Sequence, residues 1–378
     1  MRIAFLTTGD PRRRDFWSGT PYSMLHSLRR RCGEVVPLGP LRSVTREVVR
    51  ACVGARNRLT RGRFDHTHSR VVARAYARAA GRRLSEGRYD IIVAPAASEA
   101  VAYLETDLPI VYLSDATFRL MVDYYPAFSS LTRASLSQGE EIERRAIERS
   151  CAVVHPTRWS ARSVVEDYGA DPSRVHVIPY GPNLDAIPDA AVARRHSTDV
   201  CRLLFIGVDW VRKGGDIALG TLRALRERGI PAELVIVGCA PPDDPDVPGV
   251  RLMGRLDKSS TRDVRVLDEL FASSTFLLLP TRAECSGIVF AEASAYGLPS
   301  IANRTGGVPD VVLDGRNGFL LDPDAGPREY ASLIGSVCGD AQEYQDLCRR
   351  ARGEYETRLN WDAWARRTVA VLESCLGS

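Results

Sequence analysis

The sequence predicts an α/β protein made of two doubly wound domains facing across a cleft, and three observations carry that expectation. Short, continuous apolar runs such as Ile3 to Thr7 (IAFLT), Arg202 to Gly207 (RLLFIG) and Phe276 to Leu279 (FLLL) recur between stretches of helical length. That is the pattern of parallel strands buried on both faces and joined by crossover helices. The chain has 378 residues, long for one domain and ample for two. A polar, Ala- and Pro-containing stretch at 184–199 divides it near its middle and reads as a linker. The expected divisions are 1–183, the linker, 200–358, and a last helix at 359–378.

Composition removes several classes of protein. Apolar residues make up 44% and charged residues 26%, as in an ordinary soluble globular chain, so neither disorder nor a fibre is expected. MRIAFLTTGD has only a short apolar run and reads as a first strand, not a signal peptide. No stretch reaches the ~18 apolar residues that a membrane span needs. Nine scattered cysteines without C-x-x-C spacing point to reduced thiols and a cytoplasmic setting. No His/Cys cluster has zinc-ligand spacing. Arginine supplies nearly all the positive charge, and Lys213 and Lys258 are the only lysines.

In chain order, the strand at 3–7 is followed by a loop holding Trp17-Ser18-Gly19-Thr20-Pro21 and a helix from about Tyr22 to Arg31. Small residues there let backbone amides approach an anion, which makes Gly19 and Thr20 candidates for donor binding. The loop is not G-x-G-x-x-G, so a dinucleotide site is not indicated. Residues 29–88 carry sixteen arginines against Glu34, Glu47, Asp65 and Glu86. Three readings stay open for this segment: a solvated helix face, a patch touching an anionic membrane, or a site for an anionic acceptor or nucleic acid. With Phe64 and Tyr76 as its only prominent aromatics, stacking of single-stranded nucleic acid is not supported.

Strands follow at Tyr89 to Ala94 and Pro109 to Leu113. The second ends at Ser114-Asp115, where open α/β sheets place their ligands. Asp115 is therefore either a site residue or a helix cap. Ser150 to Pro156 reads as a strand, Trp159 to Tyr168 as a helix, and Val175 to Pro179 as the last strand of this half.

The second half opens with Arg202 to Gly207, whose loop presents Arg212 and Lys213 before a helix near Asp216. A planar fork and a point charge side by side suit the different oxygens of a diphosphate. Ala232 to Gly238 and Val250 to Leu256 are the next strands, with Gly207, Gly238 and Leu256 expected around a nucleotide. A helix at Leu267 to Ser273 precedes Pro280 to Leu320, the most informative stretch. There a buried strand ends in a loop holding Glu284, and a helix begins at Ser286-Gly287, carries Glu292, and stops at Gly297-Leu298-Pro299. The first-turn amides at Gly287, Ile288 and Val289 lack partners within the helix and suit a phosphate. After Leu321 come two or three helices ending in a segment with Trp361 and Trp364, read as packing residues.

The order E-x-S-G-I-x-x-x-E-A, G-x-P, G-G-x-P and D-G-x-N-G-F-L, together with G-x-x-x-x-R-K-G at 207–214, resembles the donor site of retaining family 4 glycosyltransferases. That resemblance implies the GT-B fold of two Rossmann-like domains, the first binding the acceptor and the second a nucleotide-sugar, with a last helix returning to the first domain. It implies transfer of a sugar to an acceptor hydroxyl with retention, the leaving phosphate taking the proton. Glu284 would orient the sugar, Glu292 the ribose, and Arg212 with Lys213 the diphosphate. UDP-sugar is the first expectation for the donor and GDP-mannose the second. No D-x-D site stands in the expected loop, so no metal or other cofactor is expected. Lipid-linked glycan, polysaccharide and natural product all remain open as acceptors.

Three departures from the family pattern concern the site. Ser114-Asp115 stands where His-Asp is common, Ser286 where an aromatic is common, and Asp310 where glutamate is usual. The competing readings are a sugar-nucleotide epimerase of the same architecture and a catalytically silent nucleotide-sugar or membrane-surface binding protein.

Overall fold

The computed structural model describes every residue except 61, 195–196, 243–246 and 378. The described chain divides into two compact units: Met1–Pro179 with Trp361–Ser378, and Tyr180–Asn360.

In unit 1, strands β1 (Arg2–Phe5), β2 (Glu34–Pro37), β3 (Ile91–Pro95), β4 (Ile110–Leu113), β5 (Ala152–His155) and β6 (Val175–Val177) form one parallel sheet in the order β2-β1-β3-β4-β5-β6. The helices before its second half are α1 (Thr20–Arg31), α2 (Val44–Leu59), α3 (Arg70–Ser85) and the single turn α4 (Ser98–Val101). Then come α5 (Phe118–Met121), α6 (Arg133–Arg149) and α7 (Arg158–Glu166). Strand β3 is buried at all five positions, as a central parallel strand requires.

In unit 2, strands β7 (Cys201–Ile206), β8 (Ala232–Val237), β9 (Val250–Leu252), β10 (Phe276–Leu279), β11 (Ser300–Asn303) and β12 (Gly318–Leu321) pair in the order β12-β11-β10-β7-β8-β9, again all parallel. Its helices are α8 (Trp210–Lys213), α9 (Gly215–Glu227), α10 (Thr261–Ser273), α11 (Ile288–Ala295), α12 (Val308–Val311), α13 (Pro327–Cys338) and α14 (Ala341–Thr357). The chain then re-enters unit 1 as α15 (Trp361–Gly377), which packs along α1. Trp361 and Trp364 are both buried and meet edge to face, their rings 5.4 Å apart, so they pack as expected.

Four features differ from the sequence reading. Residues 29–88 hold strand β2 and helix α2 as well as the α3 helix, because the arginines mask short apolar patterns: Val35 lies buried while Glu34 is exposed. Arg212 and Lys213 lie on a helical turn instead of a loop, since Asp209 caps it by accepting from the Arg212 amide. Gly214, at φ +76°, then separates that turn from α9. Within the stretch expected as a linker, Val192 is buried in the core of unit 2, and residues 195–196 lie outside the described residues. The division between units falls at Pro179/Tyr180, so Tyr180 to Asn183 go with unit 2.

Candidate active site

The carboxyl ends of β7 and β10 are tied together by a dense set of contacts. Turn α8 follows β7, and the loop 280–287 follows β10. The Arg282 amide donates to the Arg212 carbonyl at 2.7 Å, and the Thr281 hydroxyl donates to the same oxygen at 3.2 Å. The Arg212 guanidinium donates to the Ala283 carbonyl at 2.9 Å, and Arg282 grips Asp216 with two bonds of 2.8 and 2.7 Å. Close approach explains the glycines. A Cβ on Gly214 would sit 2.0 Å from the Pro280 carbonyl oxygen, and one on Gly207 would sit 2.7 Å from Lys213 Cγ.

This frame brings together three residues expected from sequence. Lys213 Nζ donates to Glu284 Oε2, and Arg212 Nη1 stands 3.7 Å from the same oxygen. Their side chains are largely buried, so the pairing is poorly screened by solvent. One carboxylate therefore stands against two cations at the carboxyl edge of a parallel sheet. The glycine turn at 306–307 joins the same centre, since the Gly307 amide donates to the Glu284 carbonyl at 3.1 Å.

Helix α11 starts beside Glu284. Its cap, Gly287, has φ +68°, and a Cβ there would meet the Phe290 ring at 2.6 Å and Glu284 Cγ at 3.2 Å. Glycine both permits that conformation and lets the helix start close to the carboxylate. Ser286 is buried, and Ile288 and Val289 occupy the first turn, where amide hydrogens have no carbonyl one turn back. One turn on, Glu292 is 3% exposed and accepts from Lys258 Nζ at 2.5 Å. Lys258 also lies 3.4 Å from the Asn183 carbonyl. The two lysines of the chain thus each hold one of the two glutamates eight positions apart. Lys258 was the weaker of the two in the sequence, having no motif around it.

Gly238, at φ +98° and the end of β8, packs on Gly207: its Cβ would meet the Gly207 carbonyl oxygen at 2.6 Å. Its amide donates to the Gly254 carbonyl at 2.8 Å, which fixes the loop carrying Leu256, and Leu256 packs half-buried on the core of unit 2.

Gly19, Thr20 and Asp115 belong to unit 1. Trp17, Ser18 and Gly19 have φ of 45°, 56° and 81°, three successive left-handed residues leading into α1, and two of them are not glycine. Such backbone strain persists where its surroundings enforce it, and it concentrates at binding loops. Asp115 lies in the short loop between β4 and α5. It is not the cap of α5: Thr117 is, accepting from the Leu120 amide.

Unit 1 also holds a buried polar cluster that the sequence reading missed. His68 Nδ1 lies 2.5 Å from Asp65 Oδ2, and its Nε2 3.9 Å from Glu99 Oε1. Burial pulls the His68 pKa down, but the Asp65 hydrogen bond and the Glu99 carboxylate outweigh it and carry it to about 9. The Tyr112 hydroxyl donates to Glu143 at 3.1 Å. Burial lifts Glu143 to about 7, against the opposing pull of His68 and of that bond. The only hint in the sequence is Asp65 three residues before His68, inside a stretch dominated by arginines. Elsewhere in unit 1, burial pushes His155 down to about 3, and neither ring nitrogen has a hydrogen-bond partner among the described residues. No group of three or more His, Cys, Asp or Glu among the described residues is arranged to hold a metal.

Known proteins place this architecture. Sucrose-phosphate synthase from Thermosynechococcus elongatus superposes with a TM-score of 0.66 at 16% identity, covering 100% of both chains. Alr3699/HepE from Anabaena, solved in complex with UDP, gives 0.67 at 16%, covering 99% of this chain and 100% of that one. At such identity the likeness shows the fold, which is GT-B. One family model, Glycosyltransferase Family 4, matches residues 22–186, and another, Glycosyl transferases group 1, matches residues 201–340. The chain belongs to glycosyltransferase family 4. The D-inositol 3-phosphate glycosyltransferase of Xylanimonas cellulosilytica is 31% identical over 255 residues, which is 62% of this chain and 60% of that protein. The chain spans about 60% of the length of the first curated relatives it matches.

Proposed function

We propose that this protein transfers a sugar from a nucleoside-diphosphate sugar to an acceptor hydroxyl, with retention at the anomeric carbon. The observation that carries the reading is the Glu284 carboxylate facing Lys213 and Arg212 beside the start of α11. Cleavage of the glycosyl–phosphate bond builds negative charge on the diphosphate and positive charge on the sugar ring. Lys213, Arg212 and the α11 amides of Gly287, Ile288 and Val289 stabilise the first. Glu284 holds the sugar through its hydroxyls, and Glu292 accepts from the ribose diol, with Lys258 as its partner until the nucleoside arrives. Gly207, Gly238, Leu256 and Ser286 line the nucleotide in this reading.

Unit 1 supplies Gly19 and Thr20, which in this reading serve donor binding, and Asp115, which serves catalysis. The leaving phosphate takes the acceptor proton, so no separate base is required, and Lys213, Arg212 and the α11 amides carry the diphosphate charge that a divalent cation would otherwise take. UDP-sugar is the first choice of donor and GDP-mannose the second. The names of the curated relatives add a phosphorylated polyol, inositol 3-phosphate, to the acceptors worth testing first.

The test is incubation with UDP-glucose, UDP-N-acetylglucosamine or GDP-mannose and inositol 3-phosphate, with and without EDTA. Product anomers are read by NMR. A glycoside with the donor's anomeric configuration, formed equally with EDTA, supports the reading. Inversion overturns the mechanism, and rescue of an EDTA-dead enzyme by Mg²⁺ overturns the metal independence. Epimerised nucleotide-sugar without transfer would assign the chain to the competing class.

A further inference from the structure

Two pairs of cysteines that are far apart in sequence meet in this fold, one pair in each unit. In unit 1 the Cys375 thiol, in the last turn of α15, is in hydrogen-bond contact with the sulfur of Cys151, the residue that leads into β5. In unit 2 Cys338, the last residue of α13, makes the same contact with Cys201, the first residue of β7. All four are free thiols. The pairs differ in access. Cys151 and Cys375 are both half-buried, whereas Cys201 has no exposed surface and packs in the core of unit 2.

The position of Cys151 is fixed: its amide and its thiol both donate to the Ile110 carbonyl, at 2.9 and 3.2 Å, where β4 and β5 begin. Cys375 is brought to it by the packing of α15 along α1, which the buried Trp361 and Trp364 anchor. A disulfide demands closely spaced and correctly aimed side chains, and two thiols already in contact meet most of that demand. The pair also divides the chemistry. The hydrogen bond from Cys375 lowers the Cys151 pKa, against burial, and raises that of Cys375. The thiolate is the form that attacks an oxidant, and a neighbouring thiol resolves the product.

We infer that Cys151 and Cys375 form a reversible disulfide when the protein meets hydrogen peroxide, locking α15 onto unit 1. The Cys151 thiolate attacks one peroxide oxygen, the O–O bond breaks, and the other oxygen leaves as water on taking up a proton. Cys151 is then a sulfenic acid. The Cys375 sulfur attacks the Cys151 sulfur, the S–O bond breaks, and the hydroxyl leaves as a second water with the Cys375 proton. Two thiols lose two electrons and one peroxide gains them. A dithiol reductant reverses the link by exchange.

The closed link encloses all of unit 2, Tyr180–Asn360, in a covalent ring anchored at both ends in unit 1. Closing so long a loop restricts the unfolded chain and so favours the folded one. The inference does not rest on the sugar-transfer reading. Its cysteines stand at the amino edge of the sheet, opposite the carboxyl-edge loops that hold Gly19, Thr20 and Asp115.

The experiment treats the reduced full-length protein with hydrogen peroxide at a concentration that oxidises the exposed Cys52. Remaining thiols are alkylated after unfolding, and linked peptides are mapped by mass spectrometry. The main linked pair is expected to be Cys151 with Cys375, while Cys201 and Cys338 stay alkylatable. The melting midpoint should rise by several degrees and return with dithiothreitol. Cys375→Ser should lose both the linked peptide and the shift, leaving a Cys151 sulfenic acid that dimedone traps. Lys213→Met should link like the wild type, so failure here and failure of the transfer reading are separable. Oxidised Cys52 without the Cys151–Cys375 peptide overturns the inference, as does a melting shift that persists in Cys375→Ser. Linkage of Cys201 to Cys338 instead would assign the response to unit 2 and also overturn it.

Discussion

Glu284 and Lys213 stand or fall together. Both side chains are largely buried, so removing the ammonium takes the nearest cation from the carboxylate and leaves Arg212 at 3.7 Å. Lys213→Met is expected to lower turnover by ~10² to 10³, the usual effect of losing one preorganised charge donor. Glu284→Gln is expected to retain nucleotide binding but lose turnover, because the diphosphate clamp survives while the sugar contact weakens. Initial rates and nucleotide titrations of both variants check this, and equal turnover in all three proteins would remove these residues from the mechanism. The buried cluster of unit 1 makes a separate prediction about pH. His68 rises from 6.5 to about 9 and Glu143 from 4.5 to about 7 on folding, so the native state holds protons that the unfolded chain releases. Each contribution is full below the lower value and is lost as pH rises through the upper one. Stability of unit 1 should therefore fall between about pH 4.5 and 7 through Glu143 and between about pH 6.5 and 9 through His68, and His68→Gln should flatten the upper part of that slope. His155 acts oppositely: its value drops from 6.5 to about 3, so its share is lost as pH falls below 6.5. Urea denaturation at pH 5, 7 and 9 reads these effects.

Glycines at element junctions were legible for a physical reason, and helices with masked patterns were not. Gly207, Gly214 and Gly287 sit in loops between apolar strands and helix starts, where sequence alone signals a tight approach. The structure supplies the collisions a side chain would make. Gly214→Ala meets both a left-handed φ and the Pro280 carbonyl. It should cost about 3 kcal/mol, read as a lower denaturation midpoint for unit 2 alone. Helix α2 escaped detection because its apolar residues face solvent and its arginines fall on several sides, so no inward stripe marks it. The α8 turn was hidden by its shortness: four residues between Asp209 and Gly214 look like loop until the cap bond is seen. His68 and Glu143 were missed because their meeting depends on long-range packing of α3 against α6, which no local spacing records.

Each unit has its own sheet and core, and that arrangement makes the domain count readable from length and strand pattern. Which unit the last helix joins is not readable that way. It follows from Trp361 and Trp364, whose burial in unit 1 closes a chain that has already passed through unit 2. Trp364 is fully buried, and its indole nitrogen has no hydrogen-bond partner among the described residues, so its contribution is packing. Trp364→Ala should destabilise unit 1 by about 3–5 kcal/mol while leaving nucleotide binding by unit 2 intact. Differential scanning calorimetry with and without nucleotide separates the two units. In the proposed reaction, unit 2 binds a nucleoside diphosphate through Lys213 and Arg212. A thermal-shift titration of UDP, GDP and ADP against wild type and Lys213→Met measures that binding. One nucleotide, at ~100-fold its Kd, is expected to stabilise the wild type by about 2.7 kcal/mol, and Lys213→Met to lose most of that shift. No shift with any of the three, or an equal shift in both proteins, would rule out nucleotide binding through Lys213.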